Sequence, residues 1–484
     1  MYLGVDLGTS SLKVLLCDAK GIIVDTAKVD YPCYYPKAGW SEQNPDDWYN
    51  AFVSTFAKLK TKNDITQIKS ISFCGQMHGL VLLDQDDKVI RPALLWNDSR
   101  STVETDFINH HFGDKLLQMT GNIAFTGLTA PKLLWVKNNE PANFAKINKI
   151  MLPKDYLLYK SSGIFASDVS DNSGTLYFDV QNKCWQKDIL ALLNITEQQL
   201  PQIFESYQSI GTVSQTFAQT SGLAPTTKIV AGGGDQAVGA IGTGTVGDGR
   251  LNISLGTSGV VFASTNQYKP STCKGLHNFA HSDGNYHFMG CILACAASAD
   301  FWLKTILNTN DYATEFVACQ NAPQNDIIFL PYLSGERSPI NDPNAKGVFY
   351  GLQISHTRPA LTRAVIEGIC FALKDCLENM KSMGLQITPN TIATAIGGLT
   401  QSSWVLKILS TILDINIRTL KASEGGAYGA VILAMVGDNL YPNVQQACQS
   451  LVQLDQTISP DKTQTNFYNN KFLQYKTLYQ KLKD

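Results

Sequence analysis

Asp6-Leu7-Gly8-Thr9-Ser10-Ser11 and Leu255-Gly256-Thr257-Ser258 share the tetrapeptide Leu-Gly-Thr-Ser, 248 positions apart in a chain of 484 residues. Each copy lies between two short apolar runs. Tyr2–Leu7 and Leu12–Cys17 flank the first; Leu251–Leu255 and Val260–Ser264 flank the second. Apolar runs broken by Gly, Thr and Ser read as strand, turn, strand. Four matching residues alone are weak evidence, since small residues recur by chance in hairpin turns. Their recurrence in the same setting, half a chain apart, predicts two structurally similar halves. The Gly-rich stretch Gly242–Arg250 is the natural joint, giving domains of residues 1–244 and 245–484.

The flanking sequence extends the pattern. Ile22–Val29 reads as a third strand after the turn Asp18–Gly21, completing a meander. Ile71–Cys74 runs into Gly75-Gln76-Met77-His78-Gly79, and Leu80–Leu83 and Ile90–Trp96 follow. Lys228–Ala231 runs into Gly232-Gly233-Gly234-Asp235, and Ile392–Ile396 into Gly397-Gly398. Helical periodicity fills the gaps, as in Trp48–Leu59 behind Asn44-Pro45, in Gln236–Ile241 and in Trp404–Leu413. Tyr468, Phe472, Tyr475, Tyr479 and Leu482 form one apolar stripe, predicting a terminal helix packed on the core. The class is α/β.

The composition excludes several functions. With 39 Lys+Arg against 41 Asp+Glu, the net charge of -2 argues against broad nucleic-acid or membrane-surface binding. No apolar run approaches the roughly 18 residues of a membrane span. The start, MYLGVDLG, lacks the basic region of a secretory signal. Eleven cysteines without a Cys-x-x-Cys pair read as reduced thiols of a cytoplasmic protein.

The turns carry the chemistry. Glycine lets backbone N–H groups approach an anion and the hydroxyls add donors, so Gly8-Thr9-Ser10-Ser11 and Gly256-Thr257-Ser258 are candidate phosphate cradles, one per half. Asp6, at the end of the first strand, is either a Mg²⁺ ligand beside its cradle or a turn-stabilising carboxylate. Asp235, after three glycines at a strand-to-helix junction, is placed as a general base; capping its helix is the plainer reading, which leaves the glycines unexplained. Gly397-Gly398 would let a planar ligand pack against backbone.

Other motifs fail. Gly242-Thr243-Gly244-Thr245-Val246-Gly247 fits Gly-x-Gly-x-x-Gly but follows a helix and precedes a strand, the reverse of a dinucleotide site. No P-loop and no protein-kinase signature set is present. His277 and His281, four apart, could share a helix face, yet no third metal ligand is apparent nearby. His110-His111 reads as a solvated pair.

Taken in order, these segments resemble the FGGY family of carbohydrate kinases, within the actin, sugar-kinase and Hsp70 superfamily, over the whole chain. The resemblance is carried by the two cradles, Gly75–Gly79, Leu95–Arg100, Gly127–Val136, Leu152–Leu157, Gly233–Gln236, Tyr332–Pro339, Gly347–Leu352 and Gly397-Gly398. The chain departs from the family pattern at Ala360, at Leu399, where a third small residue is usual, and at Gln236, where Asn is common.

The resemblance implies two actin/hexokinase-like (ribonuclease H-like) domains, each a mixed five-stranded sheet with flanking helices, around a cleft. Sugar would bind on the first and ATP on the second. It implies MgATP-dependent phosphorylation of D-xylulose to its 5-phosphate in pentose catabolism, with Asp235 as base and Asp6 and Asp235 at the metal. Met77, His78, Asp235 and Gln236 would contact the sugar. Gly8, Thr9, Ser10, Ser11, Gly256, Thr257 and Ser258 would hold the phosphates, and Gly397, Gly398 and Ser402 the adenosine. Lys13 either adds charge there or stands on the strand surface. Open alternatives are another family substrate (glycerol, gluconate, ribulose, fuculose), an actin-like or Hsp70-like ATPase switch, and a homodimeric assembly. A sugar-sensing regulator would carry a helix-turn-helix ahead of the first strand, which here begins at Tyr2.

Overall fold

The computed structural model describes residues 1–388, 391–421 and 424–483. The first cradle sits in an antiparallel meander of β1 (Tyr2–Leu7), β2 (Ser11–Cys17) and β3 (Ile23–Asp30). β4 (Ser70–Gly75) runs parallel to β1 on its other side. β5 (Ser209–Thr212) pairs antiparallel with β6 (Lys228–Gly234), which lies parallel to β4. The sheet order is β5-β6-β4-β1-β2-β3.

The second half repeats this plan. β7 (Leu251–Leu255) and β8 (Gly259–Thr265) enclose the second cradle. β9 (His277–Ala280) and β10 (Tyr286–Ile292) continue antiparallel beyond β8. β11 (Ile392–Ile396) and β12 (Asn416–Leu420) extend the sheet parallel to β7, and β13 (Leu454–Ile458) closes it antiparallel. The order is β9-β10-β8-β7-β11-β12-β13. Thus β3-β2-β1-β4-β6 corresponds to β10-β8-β7-β11-β12, strand for strand and direction for direction.

The five-stranded expectation describes only these cores. The complete sheets have six and seven strands, because β5, β9 and β13 pair with edges that would otherwise present unpaired backbone groups. The expected helix under His277 and His281 is also corrected: His277 opens β9 and His281 follows its end.

Apolar faces cover the sheets. α1 (Pro45–Leu59) starts at Asn44, whose side chain accepts from the Asp46 N–H, and buries Trp48, Phe52, Phe56 and Leu59. α2 (Pro153–Ser162) and α3 (Asp235–Gly242) complete the site side of the first sheet. α4 (Arg358–Ser382) and α5 (Ser403–Leu413) pack in the second half.

α6 (Gly425–Gly437) follows β12 in the chain yet packs on the first half, sharing a core with Tyr2, Leu15, Cys74, Val230, Val238 and Ile241. α6 and α3 cross with their backbones touching: a Cβ on Gly429 would lie 1.9 Å from the Val238 carbonyl oxygen, and one on Gly242 would lie 2.4 Å from that of Gly425. The two halves are therefore tied through this crossing as well as through residues 243–250.

α7 (Thr465–Leu482) buries Tyr468, Phe472, Tyr475 and Tyr479 as expected. Leu482 is 51% exposed, because the final turn runs past the core, and the last inward places belong to Leu478 and Tyr479. Among the described residues no helix is long and apolar enough to cross a membrane.

Candidate active site

The two cradles are built alike. In the first, the Gly8 N–H donates to the Ser11 carbonyl at 3.0 Å, closing the turn. Its carbonyls are turned back to the scaffold. The Tyr31 hydroxyl donates to the Gly8 carbonyl, and the Gln43 amide to that of Thr9 at 2.6 Å. The Trp96 indole holds the Thr9 hydroxyl at 3.0 Å. In the second, the N–H groups of Ala296 and Cys295 donate to the Gly256 and Thr257 carbonyls at 2.9 and 3.0 Å. The exposed tip is Ser10, the fourth residue of the tetrapeptide, in the first and Thr257, the third, in the second. Loops whose carbonyls are engaged present N–H and hydroxyl donors outward, which suits an anion.

Asp6 ends β1 and Asp235 opens α3, with Gly234 rather than Asp235 as the N-cap. Asp6 and Gly233 both pair with Cys74 of β4, which brings the two carboxylates to the same end of the sheet. The three glycines before Asp235 have separate reasons. Gly232 has φ +71 at an irregularity in the ladder, and a Cβ there would lie 2.0 Å from the Phe73 carbonyl oxygen. A Cβ on Gly233 would meet the Ser170 and Ser282 hydroxyls, and one on Gly234 the Met77 side chain.

Burial pushes the Asp235 carboxyl up to about 7, the charge of Asp6 adds to this, and the Gln236 N–H and side-chain amide oppose it. Burial also raises Asp6, against the Cys74 thiol and the Lys13 ammonium. Lys13 stands opposite Asp6 on β2 and is ion-paired with Glu424 ahead of α6. A Cβ on Gly426 would fall 2.4 Å from Cys74 Sγ and 3.3 Å from Asp6 Oδ2, so the first turn of α6 lies directly on this carboxylate.

Met77 and His78 form the neighbouring wall. Met77 is buried with Val260, Phe262, Phe279 and Met289 of the second half, and so bridges the halves. His78 has φ +68, and its ring fills the space a Gly174 side chain would need. Burial drives its pKa well down, so the imidazole is neutral. Gln76 ties this turn to the first cradle: its N–H donates to the Leu7 carbonyl at 2.8 Å and its amide to Gln43 at 2.9 Å.

Beneath Asp235 lies a buried ionic cluster that sequence reading missed. Lys154 Nζ is 2.6 Å from Asp155, 2.9 Å from Asp168 and 3.8 Å from Asp171. Asp168 accepts from the Ser170 and Ser206 hydroxyls, and Ser170 Oγ accepts from the Gly234 N–H at 3.2 Å. The cluster thereby braces the Asp235 loop. Asp168 and Asp171, close in sequence with no basic neighbour, were the available signal.

On the other half, Gly397 has φ +104, and a Cβ there would lie 2.6 Å from the Leu255 carbonyl oxygen, so this turn leans on the second cradle. A cavity of about 730 Å³ opens beside it, lined by Tyr312, Phe316, Gly398, Leu399, Ser402 and Trp404 among others. Leu399 fills part of its wall. Ser402 lines the cavity while its hydroxyl caps α5, accepting from the Val405 N–H at 3.3 Å.

His277 and His281 are not brought to this site as ligands. His277 bonds Asn122 and His281 bonds the Thr245 carbonyl. Among the described residues no group of three or more His, Cys, Asp or Glu side chains could hold a metal.

This arrangement matches known proteins. The FGGY N-terminal domain matches residues 1–242 and the FGGY C-terminal domain matches residues 251–437. The chain belongs to the FGGY family of carbohydrate kinases. It is thus a sugar kinase by family, with ATP as the family's phosphoryl donor. The xylulose kinase of Staphylococcus xylosus is 36% identical to this FGGY chain, with 99% of each covered. A crystal structure described as a "xyloylose kinase" from Brucella ovis superposes with a TM-score of 0.93 at 36% identity, covering 99% of both chains. Gluconate kinase from Lactobacillus acidophilus superposes at 0.94 with 28% identity, covering 99% of this chain and 98% of that one.

Proposed function

We propose that this protein transfers the γ-phosphoryl group of MgATP to O5 of D-xylulose. The observation that carries the reading is full-length identity of 36% to xylulose kinases. In this reading the first half, residues 1–244, holds the sugar and the second, residues 245–484, the nucleotide. The eleven thiols, all free, agree with a cytoplasmic setting.

Asp235, with its proton affinity poised near neutrality, accepts the proton of the attacking hydroxyl. That oxygen bonds to the γ-phosphorus as the bond to the ADP oxygen breaks. The transition state is loose, so in-line positioning and charge neutralisation supply most of the rate. Met77, His78 and Gln236 line the sugar and exclude water from the base. The donors of Gly8–Ser11 and Gly256–Ser258 take the β- and γ-phosphates. The Lys13 ammonium is ion-paired with Glu424, and its charge favours the ionised form of Asp6.

The donors present fit Mg²⁺. Asp6 and Asp235 are two carboxylates without a complete protein cage, the pattern expected of an ion that keeps phosphate and water ligands. When bound, the ion would neutralise charge on the transferring group. The nucleoside would occupy the cavity beside Gly397, Gly398 and Ser402.

The test is ADP release over a panel of D-xylulose, D-ribulose, L-fuculose, gluconate and glycerol. D-xylulose should give the highest kcat/KM by at least about tenfold. A higher value for gluconate would replace xylulose with that acid.

A further inference from the structure

Past the C-terminal end of α3, a cavity of about 230 Å³ is lined by Thr243, Arg250, Arg418, Gln445, Gln449 and Val452, among others. Two arginines line it, Arg250 exposed and Arg418 half-buried. An arginine facing another arginine is normally compensated by a carboxylate. Among the described residues neither guanidinium has an ion-pair partner, a condition shared with Arg337 but not with Arg91, Arg100, Arg358 and Arg363. The nearby acids are otherwise engaged: Asp283 accepts from the Gly247 N–H and Asp455 from the Thr419 hydroxyl.

Arg418 is fixed in place. It stands half-buried on β12, and its Nε donates to Thr394 Oγ1 on β11 at 3.3 Å. Thr394 belongs to a buried polar chain: the Asn252 amide donates to the Thr394 carbonyl and to Thr243 Oγ1, which bonds Thr245. Desolvation and the Arg250 charge both bear against the Arg418 cation, so a dianion between them would relieve both.

We propose that this cavity is a binding site for a phosphate group, either free phosphate or a phosphate monoester, gripped by Arg250 and Arg418 with amide donors from Gln445 and Gln449. The site is separate from the phosphate cradles. It joins the two halves: Arg250 directly precedes β7 and Arg418 stands on β12 of the second sheet. Gln445 and Gln449 lie on the helix Val444–Leu451, which packs on α6 and so on the first half. The volume suits a phosphate or a small phosphorylated metabolite and excludes a nucleotide lying fully inside.

The experiment is calorimetric titration of the full chain with inorganic phosphate at constant ionic strength, with a non-hydrolysable ATP analogue and sugar saturating the catalytic cleft. Wild type should bind one phosphate. Arg250→Gln, at an exposed position that leaves folding intact, should weaken it at least about tenfold, and Arg250→Gln with Arg418→Gln should abolish it. Both variants should keep basal kinase activity. Repeating the titration with a ribose or xylulose phosphate separates the two sources: tighter binding assigns the monoester, equal binding assigns free phosphate. Absence of binding in wild type, or unchanged phosphate binding in Arg250→Gln, would overturn the proposal.

Discussion

Asp6, near the end of β1, and Asp235, at the start of α3 directly after β6, lie on either side of β4, and the charge of the first tightens the proton on the second. With Asp235 near 7, the limb of kcat/KM that reports base ionisation falls on the acid side of neutrality. Replacing Asp6 by Asn removes one of the two causes that raise Asp235. The acid limb of Asp6→Asn should therefore move to lower pH, even as the maximum falls with loss of the carboxylate proposed to hold the metal. A pH–rate profile of both proteins checks this. A limb that stays in place, or moves up, refutes the coupling.

The same proton makes a statement about stability. Asp235 binds its proton more tightly folded than unfolded, so its contribution is fully present below about pH 4 and is lost as pH rises through about 7. Above neutrality the ionised carboxylate is a burden on the fold. Asp235→Asn should accordingly melt higher than wild type at pH 8, by on the order of 1 kcal/mol, and match it near pH 4. The variant should still bind sugar and nucleotide while losing at least about a thousandfold in kcat. Near-normal turnover would show that another group takes the proton.

Two glycines of α6 separate the site from the fold. Gly429→Ala forces a methyl against the Val238 carbonyl, 1.9 Å away, and should cost about 3 kcal/mol by parting α3 from α6. Gly426→Ala meets the Cys74 thiol and Asp6 instead. It should reduce activity well beyond its effect on Tm. Adding Cys74→Ala should restore part of that activity, because the closest clash is with Sγ. Thermal melts and kcat on the three proteins distinguish the two glycines; equal effects on Tm would undo the distinction.

What the sequence revealed, and what it hid, follows from the range of the interactions. The duplicated turn was legible because strand, cradle and strand are consecutive, and local chemistry decides them. The core strands of the first sheet, and β7, β8 and β11 of the second, followed from apolar runs of the right length, whereas β10 and β12 were not read as strands. The edge strands β5, β9 and β13 did not, since pairing partners far along the chain define them. His277 was read onto a helix because four-residue spacing also fits one face of a strand. The Lys154 cluster was hidden for the same reason: Lys154 and Asp155 are adjacent, but their burial beneath Asp235 depends on β4, β6 and Ser170 meeting in space. The placement of α6 over the first sheet could not be read at all, because nothing local tells a helix which of two similar sheets it will cover.

Gly397 tests the nucleotide side alone. Its φ of +104 is open to glycine at little cost, and a Cβ would press on the Leu255 carbonyl at 2.6 Å and the Gly256 nitrogen at 3.0 Å. The second cradle is thus shaped by the turn behind it. Gly397→Ala should displace Gly256 and the wall of the adjacent cavity while leaving His78 and Asp235 untouched, since these belong to the other half. The expected outcome is a KM for ATP raised about tenfold with the KM for sugar unchanged. If the sugar KM rose and the ATP KM did not, the assignment of nucleotide to the second half would be reversed.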